Sequence, residues 1–178
     1  MALFVHLTPA KNIRSIRKHG LLLKKNRWFR AAGIFAMPVV PDFVVTHQWV
    51  RELRRWGRQE ELIAVHFRIP DTEPVLVGHY NEGMKEMTAA EASHLIASTT
   101  KPFGYQVLIQ RAIRPKELHA IRTVRQVVGW RYRPGSNGTR PCVCMGCNRG
   151  QWGIQRLKRA AEKTEKRKQT AKTIVFGR

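Results

Sequence analysis

Apolar positions along the chain recur with two different periods, and each change of period marks an element. Leu3, Phe4, Val5 and Leu7 make a short apolar run interrupted by His6, as a half-buried first strand does. Ile13 and Ile16 then fall at helical spacing, between a capping Thr8 followed by Pro9 and a terminating Gly20, with Lys11, Arg14, Arg17 and Lys18 facing outward. Gly33 to Met37 reads as a second strand stopped by Pro38 and Pro41, and Phe43, His47, Val50 and Leu53 predict one helix running from Phe43 to Gly57. LIAVHFRIP and PVLVGHY are β-rich; NEGMKEMTAAEASHLIAS begins as a loop and ends as a helix capped by Thr88. Tyr105 to Ile109 is a strand, Arg114-Pro115 a turn, Leu118 to Ile121 a return strand and VVGWRYR one more. Strand, helix, strand, helix and then mostly strands predicts an α+β domain with a split, mixed or antiparallel sheet flanked by helices.

The pattern breaks near Pro134. PGSNGTRP is a loop, CVCMGC comes next, and the remaining residues form a basic segment that reads as helical from Gly153 to about Lys168. The division expected is therefore residues 1–133 as the folded domain and 134–178 as a cysteine-containing loop with a basic helix or tail. Cys142, Cys144 and Cys147 are spaced to share one metal ion, and a structural zinc site needs four ligands, the fourth coming from a histidine such as His79 or His119. No fourth cysteine exists, so three reduced thiols in a turn is the preferred reading and the metal site the alternative. Three cysteines so close together do not make a secreted disulfide framework.

Charge changes the picture most. Lys and Arg number 33 against 12 Asp and Glu, a net charge of +21 in 178 residues. Such a chain attracts polyanions, and arginine's planar fork suits phosphate, so nucleic acid, DNA or RNA, is the expected partner. Arg51, Arg54, Arg55 and Arg58 cluster on one predicted helix, where they either track a phosphate backbone or form a solvated face; Trp152 and Arg156 in the basic segment are further nucleic-acid candidates. No apolar run is long enough to span a bilayer and no secretory signal is evident, so the expectation is a cytoplasmic protein without a membrane partner.

His6-Leu7-Thr8, a helix ending Lys18-His19-Gly20-Leu21, the strand GIFAM, the aromatic helix after it and a late strand opening Gly104-Tyr105-Gln106-Val107 form an ordered set. Over roughly Leu3 to Arg122 this set resembles the ADP-ribosyltransferase superfamily, particularly its small bacterial DNA-targeting toxins of the DarT type and, more distantly, the NAD-dependent RNA 2'-phosphotransferases. The resemblance implies NAD as substrate, with His6 and Thr8 holding its nicotinamide half, Gly20 at the end of the helix also counted among the cofactor-binding residues, and Phe35 and Phe43 lining the pocket. It also implies a catalytic Glu at the start of the late strand, where this chain has Gln106. A glutamine keeps the shape of that residue but carries no charge to stabilise the cation that develops as nicotinamide leaves, so the chain as written would bind NAD better than it turns it over. A repurposed member, a deliberately disabled one, a shifted strand, or an acid supplied instead by Glu86 or Glu91 all accommodate Gln106. The reading is an NAD-dependent ADP-ribosyltransferase-like protein acting on nucleic acid, with His6 and Gln106 at its centre; a non-catalytic DNA- or RNA-binding protein on the same fold is the main alternative, and an RNA 2'-phosphotransferase-like enzyme a second.

Overall fold

The computed structural model describes residues 1–23, 32–56, 60–80, 83–126 and 128–129. The backbone divides into two units between Gly138 and Thr139, and all the described residues belong to the first. Seven strands form one sheet in the order β5-β4-β6-β2-β1-β3-β7. They are β1 (Ala2–Pro9), β2 (Ile34–Pro38), β3 (Leu62–Ile69), β4 (Pro74–His79), β5 (Lys85–Thr88), β6 (Tyr105–Ile109) and β7 (Leu118–Thr123). Every pairing is antiparallel, so of the two sheet types expected the described residues form the antiparallel one. The α+β expectation holds.

β1 sits near the middle because it is apolar on both faces: Phe4 is 0% exposed and Val5, its neighbour on the opposite face, 1%. Its whole length pairs with β3, from Ala2 opposite Ile69 to Pro9 opposite Leu62. With β2 it pairs only at Phe4–Pro38 and Val5–Met37. From there β2 continues in register with β6, Ala36 opposite Val107 and Ile34 opposite Ile109. The sheet is continuous at one end and opens between β1 and β2 at His6.

Among the described residues four short helices flank it: α1 (Ile13–His19), α2 (Phe43–Thr46), α3 (Val50–Trp56) and α4 (Ala89–Ser98). The first differs from expectation, because Thr8 and Pro9 remain in β1 and a 3-10 turn, Ala10–Asn12, leads into α1. Thr8 instead pairs with Ile63 across the β1–β3 ladder, and its hydroxyl accepts a 2.9 Å bond from the Asn12 amide. The single helix expected from Phe43 to Gly57 is two, separated at His47–Trp49, because Gln48 turns inward to bond backbone elsewhere. Asp42 caps α2 through Val44 and Val45 N–H. Thr88 caps α4 as expected, in a reciprocal box with Glu91. The loop expected before it contains β5, whose alternation is hidden because both Lys85 and Glu86 are exposed at the sheet edge. The turn after Arg114 and the strand from Leu118 are present. VVGWRYR lies mostly outside the described residues, as does the helix expected after Gly153.

Gly20 ends α1 with a φ of +75°. Its α-carbon packs directly against the Ile113 carbonyl, because Leu21 and Ile113 exchange two backbone hydrogen bonds of 2.9 Å beside it. Only a residue without a side chain fits that conformation and that approach.

Candidate functional site

The candidate site lies where the β1–β2 ladder stops. There the His6 side chain takes over from the missing backbone bond: its Nδ1 lies 2.7 Å from the Phe35 carbonyl oxygen on β2. A ring nitrogen facing a carbonyl carries the proton, so Nδ1 is the donor of this bond. His6 thus spans the opening sideways, and β6 lies one strand further on. Two inter-strand spacings separate β1 from β6, about 10 Å.

Gln106 stands at the start of β6, opposite Gly78 of β4. It is half-buried, and its side-chain amide makes no hydrogen bond among the described residues. The residues before it are fixed by the α2–α3 connection. Gln48, fully buried, accepts a 2.6 Å bond from Gly104 N–H and donates to the Pro102 and Val45 carbonyls at 3.1 Å. The Trp49 indole donates to the Tyr105 carbonyl at 2.8 Å. Neither residue is marked by motif or charge; the one sequence signal for Gln48 is an amide in a mostly apolar segment.

Counted along the ladders, His6 is in phase with Ala36 and Val107, and Gln106 with Met37 and Val5. Neighbouring phases point to opposite faces. Phe35, opposite Leu108, shares the phase of Gln106. Phe43 belongs to the same side: its ring is 4.2 Å from His47, whose ring is 6.3 Å from that of His66, and His66 lies opposite Val5. The structure therefore gathers Gln106, Phe35 and Phe43 on the side of α2, while His6, in the other phase, bonds the Phe35 carbonyl in the opening. Thr8, 6% exposed, is held by Asn12, and Gly20 is accounted for by its packing on Ile113.

On that side His47 and His66 are both buried. Burial lowers the proton affinity of both; for His66 the fall, to about 4, is assisted by the positive charges of His47, Arg122 and His119. His47 is partly offset by its 2.9 Å bond to the Phe43 carbonyl. Both rings are neutral near pH 7, as packed histidines are.

The other expected residues are dispersed. Arg51 is exposed, but Arg54 turns back to donate to the Gln126 carbonyl at 3.2 Å, so the series is not one solvent-facing row. The Arg55 side chain and Arg58 lie outside the described residues. So do Trp152, Arg156, Cys142, Cys144 and Cys147. Among the described residues no cluster of histidine, cysteine and carboxylate is arranged to hold a metal ion. His79, a candidate fourth ligand, has Nε2 3.0 Å from the Phe103 carbonyl and Nδ1 3.2 Å from that of Tyr80. Glu91 is engaged in capping α4, where its bonds to Thr88 hold its carboxyl below the usual range, and Glu86 lies on β5, separated from β2 by β4 and β6. No helix among the described residues is long and apolar enough to cross a membrane.

No family model matches the chain, and no curated protein or solved structure matches it either.

Proposed function

We propose that the chain is an ADP-ribosyltransferase-like domain that takes the nicotinamide-ribose half of NAD into the opening between β1 and β2 and acts on nucleic acid. The observation that carries this reading is the opening itself: the β1–β2 ladder ends at Val5, and His6 reaches across to the Phe35 carbonyl at 2.7 Å. Gln106, with an amide unbonded among the described residues, stands at the start of the strand next to β2. In this reading the His6 imidazole faces a ribose hydroxyl, and Gln106 donates to or accepts from another. When the bond between nicotinamide and ribose breaks, its electron pair leaves with nicotinamide and positive charge develops on the sugar. The neutral Gln106 amide offers that charge little, so binding exceeds turnover.

The test compares the protein with Gln106→Glu and His6→Ala versions, using labelled NAD and separate DNA and RNA acceptors. NAD binding by the first two, its loss in His6→Ala, and label transfer appearing in Gln106→Glu support the reading. Absence of NAD binding by both the protein and Gln106→Glu overturns it. A second reading, a nucleic-acid-binding protein without catalysis, is favoured by the phase difference between His6 and Gln106 and by the charge of +21. Oligonucleotide binding without any NAD binding is its expected signature.

A further inference from the structure

A dense run of positive charge among the described residues lies on α1 and the turn before it, far along the chain from the arginines that the sequence singles out. Lys11, Arg14, Arg17 and Lys18, with Ala10 and Ile13, line an open depression of about 600 Å³. Arg17 also borders a second, of about 230 Å³, with Leu118, His119, Ala120 and Ile121 of β7. One side chain thus joins the two into a single track from the start of α1 to the sheet edge.

Most carboxylates nearby are already committed; Glu61, whose backbone carbonyl accepts from Ala10 N–H, is exposed and forms no ion pair among the described residues. Glu60 pairs with Lys11 at 2.5 Å. Glu117 receives both Arg111 and Arg114, and Glu73 receives Arg111. Arg14, Arg17 and Lys18 are exposed and form no ion pair among the described residues. They stand three and four residues apart, the spacing at which like charges on a helix repel one another. The negative end of the helix offsets charge only in the last turn, where Arg17 and Lys18 lie, and leaves Arg14 uncompensated. A row of phosphates removes that repulsion, and the guanidinium fork of arginine donates to phosphate oxygens in pairs. A membrane surface fits less well: of the two apolar residues of α1, Ile16 is buried against the protein and Ile13 is half-buried, which leaves little to enter lipid.

We propose that this track, Lys11, Arg14, Lys18 and Arg17 leading to His119, docks the phosphodiester backbone of a nucleic acid strand. The inference rests on the nucleic-acid partner of the function proposed above and gives it a surface.

Binding of labelled single-stranded DNA and RNA to the full chain, without NAD, across a salt series tests it. The variant Arg14→Ala/Arg17→Ala/Lys18→Ala is set against Arg68→Ala/Lys85→Ala/Lys101→Ala, which removes the same charge from exposed positions elsewhere. With about 0.7 counterion released per single-strand phosphate contact, the first triple lowers the slope of log affinity against log salt by about 2, and weakens binding at least tenfold more than the second. Equal losses in the two triples overturn the track, leaving only net charge at work. So does unchanged oligonucleotide binding by the first triple when, in a parallel assay with phosphatidylserine vesicles, the same variant loses vesicle binding. NAD binding measured on the same α1 variant separates the two proposals: retained NAD binding with lost oligonucleotide binding supports the track, and absent NAD binding in every form with oligonucleotide binding lost only in the α1 triple overturns the transferase reading alone.

Discussion

The side-chain oxygen of Gln48 accepts a 2.6 Å hydrogen bond from the backbone N–H of Gly104, joining the α2–α3 connection to the residue that precedes β6. Gln48 is 0% exposed, and its amide nitrogen is shared between the Val45 and Pro102 carbonyls. One neutral side chain thereby satisfies buried backbone groups from two segments distant in sequence.

Gln48→Ala leaves the Gly104 N–H and the Pro102 carbonyl without this partner and opens a void. The expected loss is about 2–4 kcal/mol of folding stability, read from urea denaturation. Gln48→Glu keeps the acceptor for Gly104 but turns an oxygen toward two carbonyls, so it restores little. A loss under about 0.5 kcal/mol for Gln48→Ala contradicts the structural role.

Two glycines give opposite outcomes for the same substitution. Gly20 has a φ of +75° and packs on the Ile113 carbonyl, whereas Gly83 has open space where a side chain begins. Gly20→Ala is expected to lower stability by about 1–3 kcal/mol or more, and Gly83→Ala to change it by less than about 0.5 kcal/mol. Thermal melts of the two variants side by side check this. Similar melting temperatures refute the account of the α1 terminus.

Acid should weaken the fold before its carboxylates titrate. The folded His66 is held down to about 4, against 6.5 when unfolded, chiefly by burial. Between those values the unfolded chain binds the proton that the folded chain refuses, so stability falls as the pH drops from 6.5 to about 4 and is insensitive to this group above 6.5. The full effect is on the order of 3 kcal/mol, and His47, shifted the same way, adds to it. Urea midpoints at pH 7.5 and 4.5 for the protein and for His66→Leu measure it. An undiminished pH slope in the variant shows that the loss has another source.

Elements whose pattern is local are legible in the sequence. β1, β3, β4 and β6 are short apolar or alternating runs, and α4 carries its Thr88 cap and Glu91. The pattern misleads where a distant partner decides. β1 absorbs Thr8 and Pro9 because Ile63 and Leu62 of β3 offer them a ladder that outweighs a helix cap. The segment from Phe43 breaks at Gln48 because Gly104 and Pro102 claim its amide. β5 is an edge strand with polar residues on both faces, so no period announces it.

The same division runs through the candidate site. His6 and Gln106 are visible as polar residues in apolar strands, Gly20 as a helix stop, and the charge of α1 as a run of cations at helical spacing. Composition and period fix such things because they depend on near neighbours alone. Which ladder ends where, which face each strand residue takes, and which carboxylate neutralises which arginine depend on register between segments tens of residues apart. That register opened the sheet at His6, set Gln106 one phase away, and left Arg14, Arg17 and Lys18 without counter-charge among the described residues. Hydrogen bonds and ion pairs act over a few ångströms, so only the folded chain could decide them.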